Sequence, residues 1–375
     1  MDIQLIVIGV LSAFVLTSVA ICGLMPWAGR LGLLDHPCGR KAHLRATPVV
    51  GGLAILIALL ITLGLVHGAS GRATLGFGLA AILLTGVGVL DDRRDLSWRF
   101  RIFVQILAAL LLIKVGGIRI ESIGNLFGHG AFNLNLWSIP FTVFATVGII
   151  NAINMIDGED GLAGSQVFVA LVMLCAAALY SGNEIVFQRA VVIASAVAGF
   201  LVFNLRWPWQ NQARIFMGNA GSALLGLVVA CFTFRLTQNP AHPVGPILAL
   251  WLIPIPIMDC LVLMVRRVRG GRSPFAADRG HIHHLMRNAG FGPLGIVVVL
   301  AGFSFVTGLS AAIALRLHVP QIYLVLAFVV LCLAWYWLSS RHARAEAFFR
   351  QLRIGRDLSA SSQWSGSIES NDASR

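Results

Sequence analysis

Apolar runs about as long as a bilayer is thick recur from Ile3 to Leu338, separated by short polar breaks, and this pattern constrains the chain more than any other feature. A water-soluble fold of 375 residues cannot bury so much apolar surface when 57% of its residues are hydrophobic and only 12% are charged. Eleven runs stand out, at 3–25, 49–67, 73–90, 101–117, 137–153, 162–181, 186–203, 215–236, 244–264, 293–314 and 320–338. They predict an all-α polytopic membrane protein of about eleven transmembrane helices. The eighth and ninth runs are the least cleanly bounded.

Basic residues flanking membrane spans are retained on the cytoplasmic side. The breaks at 28–48, 91–101, 154–161, 204–214 and 265–292, together with the segment from 339 onward, hold 22 of the 28 Lys and Arg residues. That bias predicts an outward N-terminus and a cytoplasmic C-terminus. The first run has Asp2 and no basic residue before it, which is unlike a cleavable signal peptide. The net charge of +12 is then mainly topological and brings attraction to anionic membrane lipids, so no nucleic acid is needed as a partner. Residues 1–340 are expected to form the membrane domain, and 341–375 a basic and then disordered polar cytoplasmic tail. Cys22, Cys38, Cys175, Cys231, Cys260 and Cys332 form no CxxC pair and read as small packing residues.

The unusual polar residues fall in the five loops assigned to the cytoplasmic face. Acids at a membrane boundary are costly and usually functional. The first loop, DHPCGRKAHLRATPVVGG, offers Arg40, Lys41 and His43 to a phosphate; a positive-inside anchor would account for the Arg and Lys but not for His43 or the Gly51-Gly52 pair. The second, DDRRDLSWR, places Asp91 beside Asp92, with Asp95 one helical turn beyond Asp91 and expected on its face. Neighbouring carboxylates repel unless a cation or a shared proton relieves them. A solvated acid cluster paired with Arg93 and Arg94 is the plain alternative.

In the third loop, NAINMIDGEDGLAGS, Asn151, Asn154, Asp157 and Asp160 recur every three residues. Each such step drifts about 60° around a helix, so the four cannot share one face and the helix should break near Asp157-Gly158. The fourth runs from Asn204 to the turn Gly218-Asn219-Ala220-Gly221-Ser222, whose backbone N–H groups at a helix start suit a phosphate. The fifth carries Arg266, Arg267, Arg269, Arg272, Asp278, Arg279, His281, His283 and His284. Zinc needs three or four converging ligands and no thiol lies nearby, so the surrounding arginines favour an anion.

In order, RKAHLRATPVVGG, DDRRDLSWR, NAINMIDGEDGLAG, IFMGNAGSALLG and DRGHIHHL resemble the motifs of the polyprenyl-phosphate N-acetylhexosamine-1-phosphate transferases of bacterial envelope and eukaryotic N-glycan synthesis. The His-Ile-His-His loop looks like the bacterial branch that uses UDP-N-acetylglucosamine or a related UDP-N-acetylhexosamine. This resemblance implies a multi-pass protein of the bacterial inner membrane with its active site on the cytoplasmic face. Undecaprenyl phosphate would attack the β-phosphorus of the UDP-sugar, releasing UMP and leaving the lipid-linked sugar pyrophosphate that starts an envelope polysaccharide. Mg²⁺ is the implied cofactor, with Mn²⁺ as a substitute, and a homodimer is a candidate assembly.

By motif position, Asp91 and Asp92 match the catalytic pair, and Asn154, Asp157 and Asn219 fall at or beside metal positions. Arg40, Lys41, His43, Asn151, Asp160, Asn204, Gly218, Asp278, Arg279, His281, His283 and His284 match substrate-binding positions, Asp160 near the uracil. One departure stands out: the family's FMGD turn has aspartate where this chain has Asn219. One negative charge fewer predicts weaker Mg²⁺ binding, with Glu159 as a candidate compensating acid. A transporter is the rival from another class, and a family member that binds its substrates without turnover is the second.

Overall fold

The computed structural model describes residues 3–36, 46–66, 71–126, 128–239, 244–274 and 280–353. Along the chain run α1 (Ile3–Leu24), a two-residue antiparallel ribbon of β1 (Leu34–Asp35) and β2 (Thr47–Pro48), α2 (Gly51–Val66), α3 (Arg72–Arg94) and α4 (Trp98–Lys114). Then follow α5 (Ser138–Ile156), α6 (Leu162–Tyr180), α7 (Glu184–Asn204), α8 (Gly218–Thr237), the short α9 (Leu248–Leu252) and α10 (Pro254–Arg269). The short α11 (Ile282–Asn288), α12 (Pro293–Arg316) and α13 (Gln321–Ser339) complete them. Among the described residues the fold is all-α apart from the ribbon and an isolated bridge between Ser122 and Asn133, and eight helices are long and apolar enough to cross a membrane.

Burial separates these helices by position. α1 buries Gly9, Ala13, Thr17 and Ile21, one stripe spaced by four, and exposes Ile8, Leu11, Val15 and Val19. A single buried stripe of mostly small residues, with branched side chains elsewhere, is what a lipid-facing helix needs. α8 is the opposite case, buried nearly all round from Ala220 to Leu236 because α2, α3, α5, α6 and α7 pack on it. Its N-terminus therefore lies at the centre of one pole of the bundle.

Close backbone approach fixes that N-terminus. A Cβ on Gly52 would strike the backbone of Gly221, and one on Gly88 would strike Ala220, so α2 and α3 reach α8 through positions where only hydrogen fits. The Gly51-Gly52 pair thus has a packing reason: the N–H groups of Gly51 and Gly52 also donate to the carbonyls of Phe216 and Met217.

Two sequence expectations change. The ninth run is not one helix: α9 ends before Ile253 and α10 begins at Pro254, because Pro254 and Pro256 lack the N–H groups that would continue the ladder. Asp95 does not share a helix face with Asp91, since α3 stops at Arg94 and Asp95 adopts a left-handed φ of 49° as the chain turns towards α4. Residues 342–353 are helical and packed, with Ala345 and Phe349 buried and Phe349 edge-on to Phe291. The break predicted near Asp157-Gly158 is where α5 ends, at Ile156.

Candidate active site

The polar pole is built where α3, α5 and α7 end and α4, α6 and α8 begin. Asp92, in the last turn of α3, accepts the N–H groups of Asn219 at 2.8 Å and Ala220 at 3.3 Å. The helix start expected to face a phosphate thus receives a side-chain carboxylate, which satisfies two of its otherwise unpaired donors and complements the helix dipole. Gly218 permits this contact: its φ is 73°, and a Cβ there would meet the Asp92 carboxylate and Val49.

Asp91 is handled differently. It is buried, accepts the Leu96 N–H at 2.7 Å and pairs with Arg101 of α4 at 3.1 Å, so its charge is matched inside the α3–α4 corner. On α5, Asn151 donates to Gln105 of α4 at 2.6 Å, whereas Asn154, three residues on, donates to Asn219 Oδ1 and Ser222 Oγ, both at 2.9 Å. The three-residue spacing therefore directs the two amides to different helices, α4 and α8.

At the α5–α6 corner, burial, then the charges of Asp92 and Asp160, push Asp157 up to about 7. Asp157 has no ion-pair partner among the described residues. Asp160 is held by Arg206 at 2.7 Å and the Ala213 N–H at 3.3 Å. Asn204 has both ends of its amide engaged by backbone, accepting the Gly161 N–H and donating to the Ile215 carbonyl, each at 2.9 Å. It holds the acid-bearing turn against the strand of chain that leads into α8. Glu159 pairs with Arg287 of α11, and burial pushes its carboxyl up against that pull. That ion pair ties Glu159 to α11, away from the compensating role suggested for it.

The histidines divide between two environments. His281 donates from Nδ1 to Asp259 at 2.8 Å, while His283 is buried against the Gly158 turn with neither ring nitrogen hydrogen-bonded among the described residues. Burial, then the neighbouring His284, His281 and Arg287, lower His283 well below the ordinary histidine range. The rings of His283 and His284 lie 4.2 Å apart. Arg40, Lys41, His43, Asp278 and Arg279 lie outside the described residues.

Two pockets open at this pole. One, of about 350 Å³, has an apolar wall of Leu84, Val87, Ile102, Val104 and Ile150 facing a polar one that includes Arg101, Gln105, Asn151, Arg267 and His281. The other, of about 950 Å³, is lined by Asp92, Asp157, Asp160, Arg206, His284 and Arg287 among others. Asp91, Asn154 and Asn219 line both and form their common edge. Arg101 and Gln105 of the smaller pocket, and Arg206 and Arg287 of the larger, were not singled out as site residues from sequence. Gln105 carried a usable signal, an uncharged polar side chain inside the apolar run of α4.

Among the described residues, no three His, Cys or carboxylate side chains are arranged as a ready metal cage. Mg²⁺ does not require one: it keeps several waters and takes one or two carboxylates together with substrate phosphates. Asp157, raised by burial and then by two neighbouring acids and lacking an ion-pair partner among the described residues, with the Asn154 and Asn219 amides nearby on the pocket wall, is a donor set that fits such an ion.

Residues 74–237 match the family model described as glycosyl transferase family 4. The chain is 30% identical over 344 residues to the undecaprenyl-phosphate α-N-acetylglucosaminyl 1-phosphate transferase of Escherichia coli O157:H7, covering 92% of this chain and 93% of that one. It is 34% identical over 281 residues to the protein of that name from Escherichia coli strain K12, covering 75% and 76%. The Yersinia pestis protein of that name is 32% identical over 325 residues, covering 86% and 88%.

Proposed function

Because the chain belongs to glycosyl transferase family 4 and is a multi-pass bacterial membrane protein, we propose that it transfers N-acetylglucosamine 1-phosphate from UDP-N-acetylglucosamine to undecaprenyl phosphate. The observation that carries this reading is the shared edge of the two pockets. A lipid phosphate needs an apolar channel ending in cations, and the smaller pocket supplies an apolar wall with Arg101, Arg267 and His281. A nucleotide sugar needs a larger polar space, and the second pocket supplies it. The two ligands would meet at Asp91, Asn154 and Asn219.

In this reading an oxygen of the lipid phosphate attacks the β-phosphorus, the new P–O bond forms, and the bond to the α-phosphate breaks to release UMP. The lipid phosphate is largely ionised near neutral pH, so positioning and charge neutralisation supply most of the catalysis and no strong base is required. Arg101 and Arg267 hold the lipid phosphate, Arg206 and Arg287 lie along the nucleotide pocket, and Asp92 keeps the start of α8 in place. Mg²⁺, or Mn²⁺ in its place, would be held by Asp157 with Asn154 and Asn219 and would neutralise charge on the pyrophosphate.

The distribution of Lys and Arg supports placing this pole at the cytoplasmic face of the inner membrane, where UDP-sugars are available. The exposed apolar faces of α1, α12 and α13 leave room for lipid or for a second copy in a homodimer. The test is UMP release by purified protein given Mg²⁺, undecaprenyl phosphate and a panel of UDP-sugars. Release with UDP-N-acetylglucosamine that needs the lipid supports the reading, and no release with any donor removes it. Asn219 favours one narrower version, an enzyme with a weakened demand for metal charge at the shared edge.

A further inference from the structure

Asp259 lies in α10, more than twenty residues before the histidine loop, and its side chain is almost fully inaccessible. A buried carboxylate is retained only where its oxygens find donors. Here Oδ2 accepts from His281 Nδ1 at 2.8 Å, and Oδ1 accepts the Ile282 N–H at 3.2 Å and the Trp335 Nε1–H at 3.1 Å. Three donors from two separate parts of the chain converge on one side chain. Two belong to the start of α11 and one to α13, which itself packs on the 342–353 helix through Trp335 and Phe349.

A carboxylate only accepts, so Nδ1 carries the proton that faces Asp259, and Nε2 can meet a phosphate oxygen only as an N–H donor of the protonated ring. His281 lines the smaller pocket beside Arg101 and Arg267. The adjacent Ile282 N–H bond fixes the backbone from which the ring projects, so ring position and the facing Nδ1 proton are set by the same group. We propose that Asp259 is a positioning residue which, through its buried carboxylate, holds His281 so that the protonated ring donates its Nε2–H to a phosphate oxygen in the smaller pocket. Trp335 completes the carboxylate's hydrogen bonding and couples α13 to the site. The inference rests on the transferase reading, because it gives His281 a phosphate to contact.

The test is a double-mutant cycle on full-length protein, following UMP release from UDP-N-acetylglucosamine with undecaprenyl phosphate and Mg²⁺, with thermal unfolding measured alongside. Asp259→Asn should lower kcat by roughly 10- to 100-fold, the range by which partners behind a working imidazole usually count, and leave KM for the UDP-sugar within about 3-fold. In a His281→Ala background the same change should cost less than about 3-fold. Equal losses in both backgrounds overturn the proposal, as does full activity of folded Asp259→Asn.

A second measurement leaves Asp259 intact. Added imidazole should restore activity to His281→Ala saturably, whereas 1-methylimidazole, which when protonated has one N–H where imidazole has two, should not. Equal rescue by both, or by neither, overturns the assignment. Failure of the wild-type chain to release UMP would instead remove the transferase reading itself.

Discussion

The α3–α4 and α5–α6 corners both turn the chain at the same pole with carboxylates on the turn, but they dispose of that charge in opposite ways. At the first, Asp91 is answered within the chain by Arg101 and the Leu96 N–H, and Asp92 by the first N–H groups of α8. At the second, Asp160 and Glu159 have arginine partners, while Asp157 has no ion-pair partner among the described residues and is raised by burial and then by its acidic neighbours. A self-neutralised corner stabilises the fold whether or not a ligand is bound. A corner with surplus charge is more stable once a cation arrives, which is the signature of a site over a scaffold.

The contrast breaks most visibly at Asp157. Asp157→Asn should cut turnover by roughly 10²- to 10³-fold, the several kcal/mol that correctly placed charge neutralisation contributes, while leaving metal-free thermal stability equal or higher. The sign of the pH effect follows from the raised folded-state value of about 7 against the ordinary 3.8. The folded protein binds more protons than the unfolded chain between those values, so this group favours folding as pH falls through 7 and loses that contribution above it. In metal-free buffer, Tm of the wild type minus Tm of Asp157→Asn should therefore rise from pH 8 to pH 6. His283, lowered in the folded state, acts in the opposite direction but is present in both proteins and cancels. A flat difference would contradict the assignment.

Arg101→Ala should show the other pattern, a stability loss of about 1–3 kcal/mol alongside the weaker transfer expected from losing a lipid-phosphate contact. That stability loss is below the cost of breaking a fully buried pair, because the Arg101 side chain is 36% exposed. If denaturant unfolding showed Asp157→Asn to be as destabilised as Arg101→Ala, the two corners would not differ in kind.

The smallest expected effect lies on the edge between the corners. Asn219→Asp restores one negative charge beside Asn154 and should lower the Mg²⁺ concentration for half-maximal transfer by roughly 3- to 10-fold. Equal metal dependence of the two proteins would show that residue 219 contributes little charge to the ion.

Much of this was legible in the sequence because bilayer physics writes it in a coarse code: runs of fixed length, and polar residues crowded at the breaks. The helices follow those runs, and all five motif loops supply residues to the two pockets. The discontinuity at Ile253-Pro254 was hidden inside an apolar run whose composition does not distinguish one helix from two. Asp95 looked like a helix-face partner of Asp91 because spacing alone cannot reveal where a helix stops. Least legible were pairings across the chain. Neither Asp259 with His281 nor Glu159 with Arg287 has a local spacing that announces it, since each contact exists only once α10, α11 and the α5–α6 turn have packed.

The central claim, phosphoryl transfer at the edge shared by the two pockets, is tested most directly by following the β-phosphorus. With UDP-N-acetylglucosamine labelled at the β-phosphate and undecaprenyl phosphate as acceptor, the label should move into the lipid phase while unlabelled UMP accumulates in equal amount. Label remaining in water as UDP or free phosphate while the donor is consumed would contradict it.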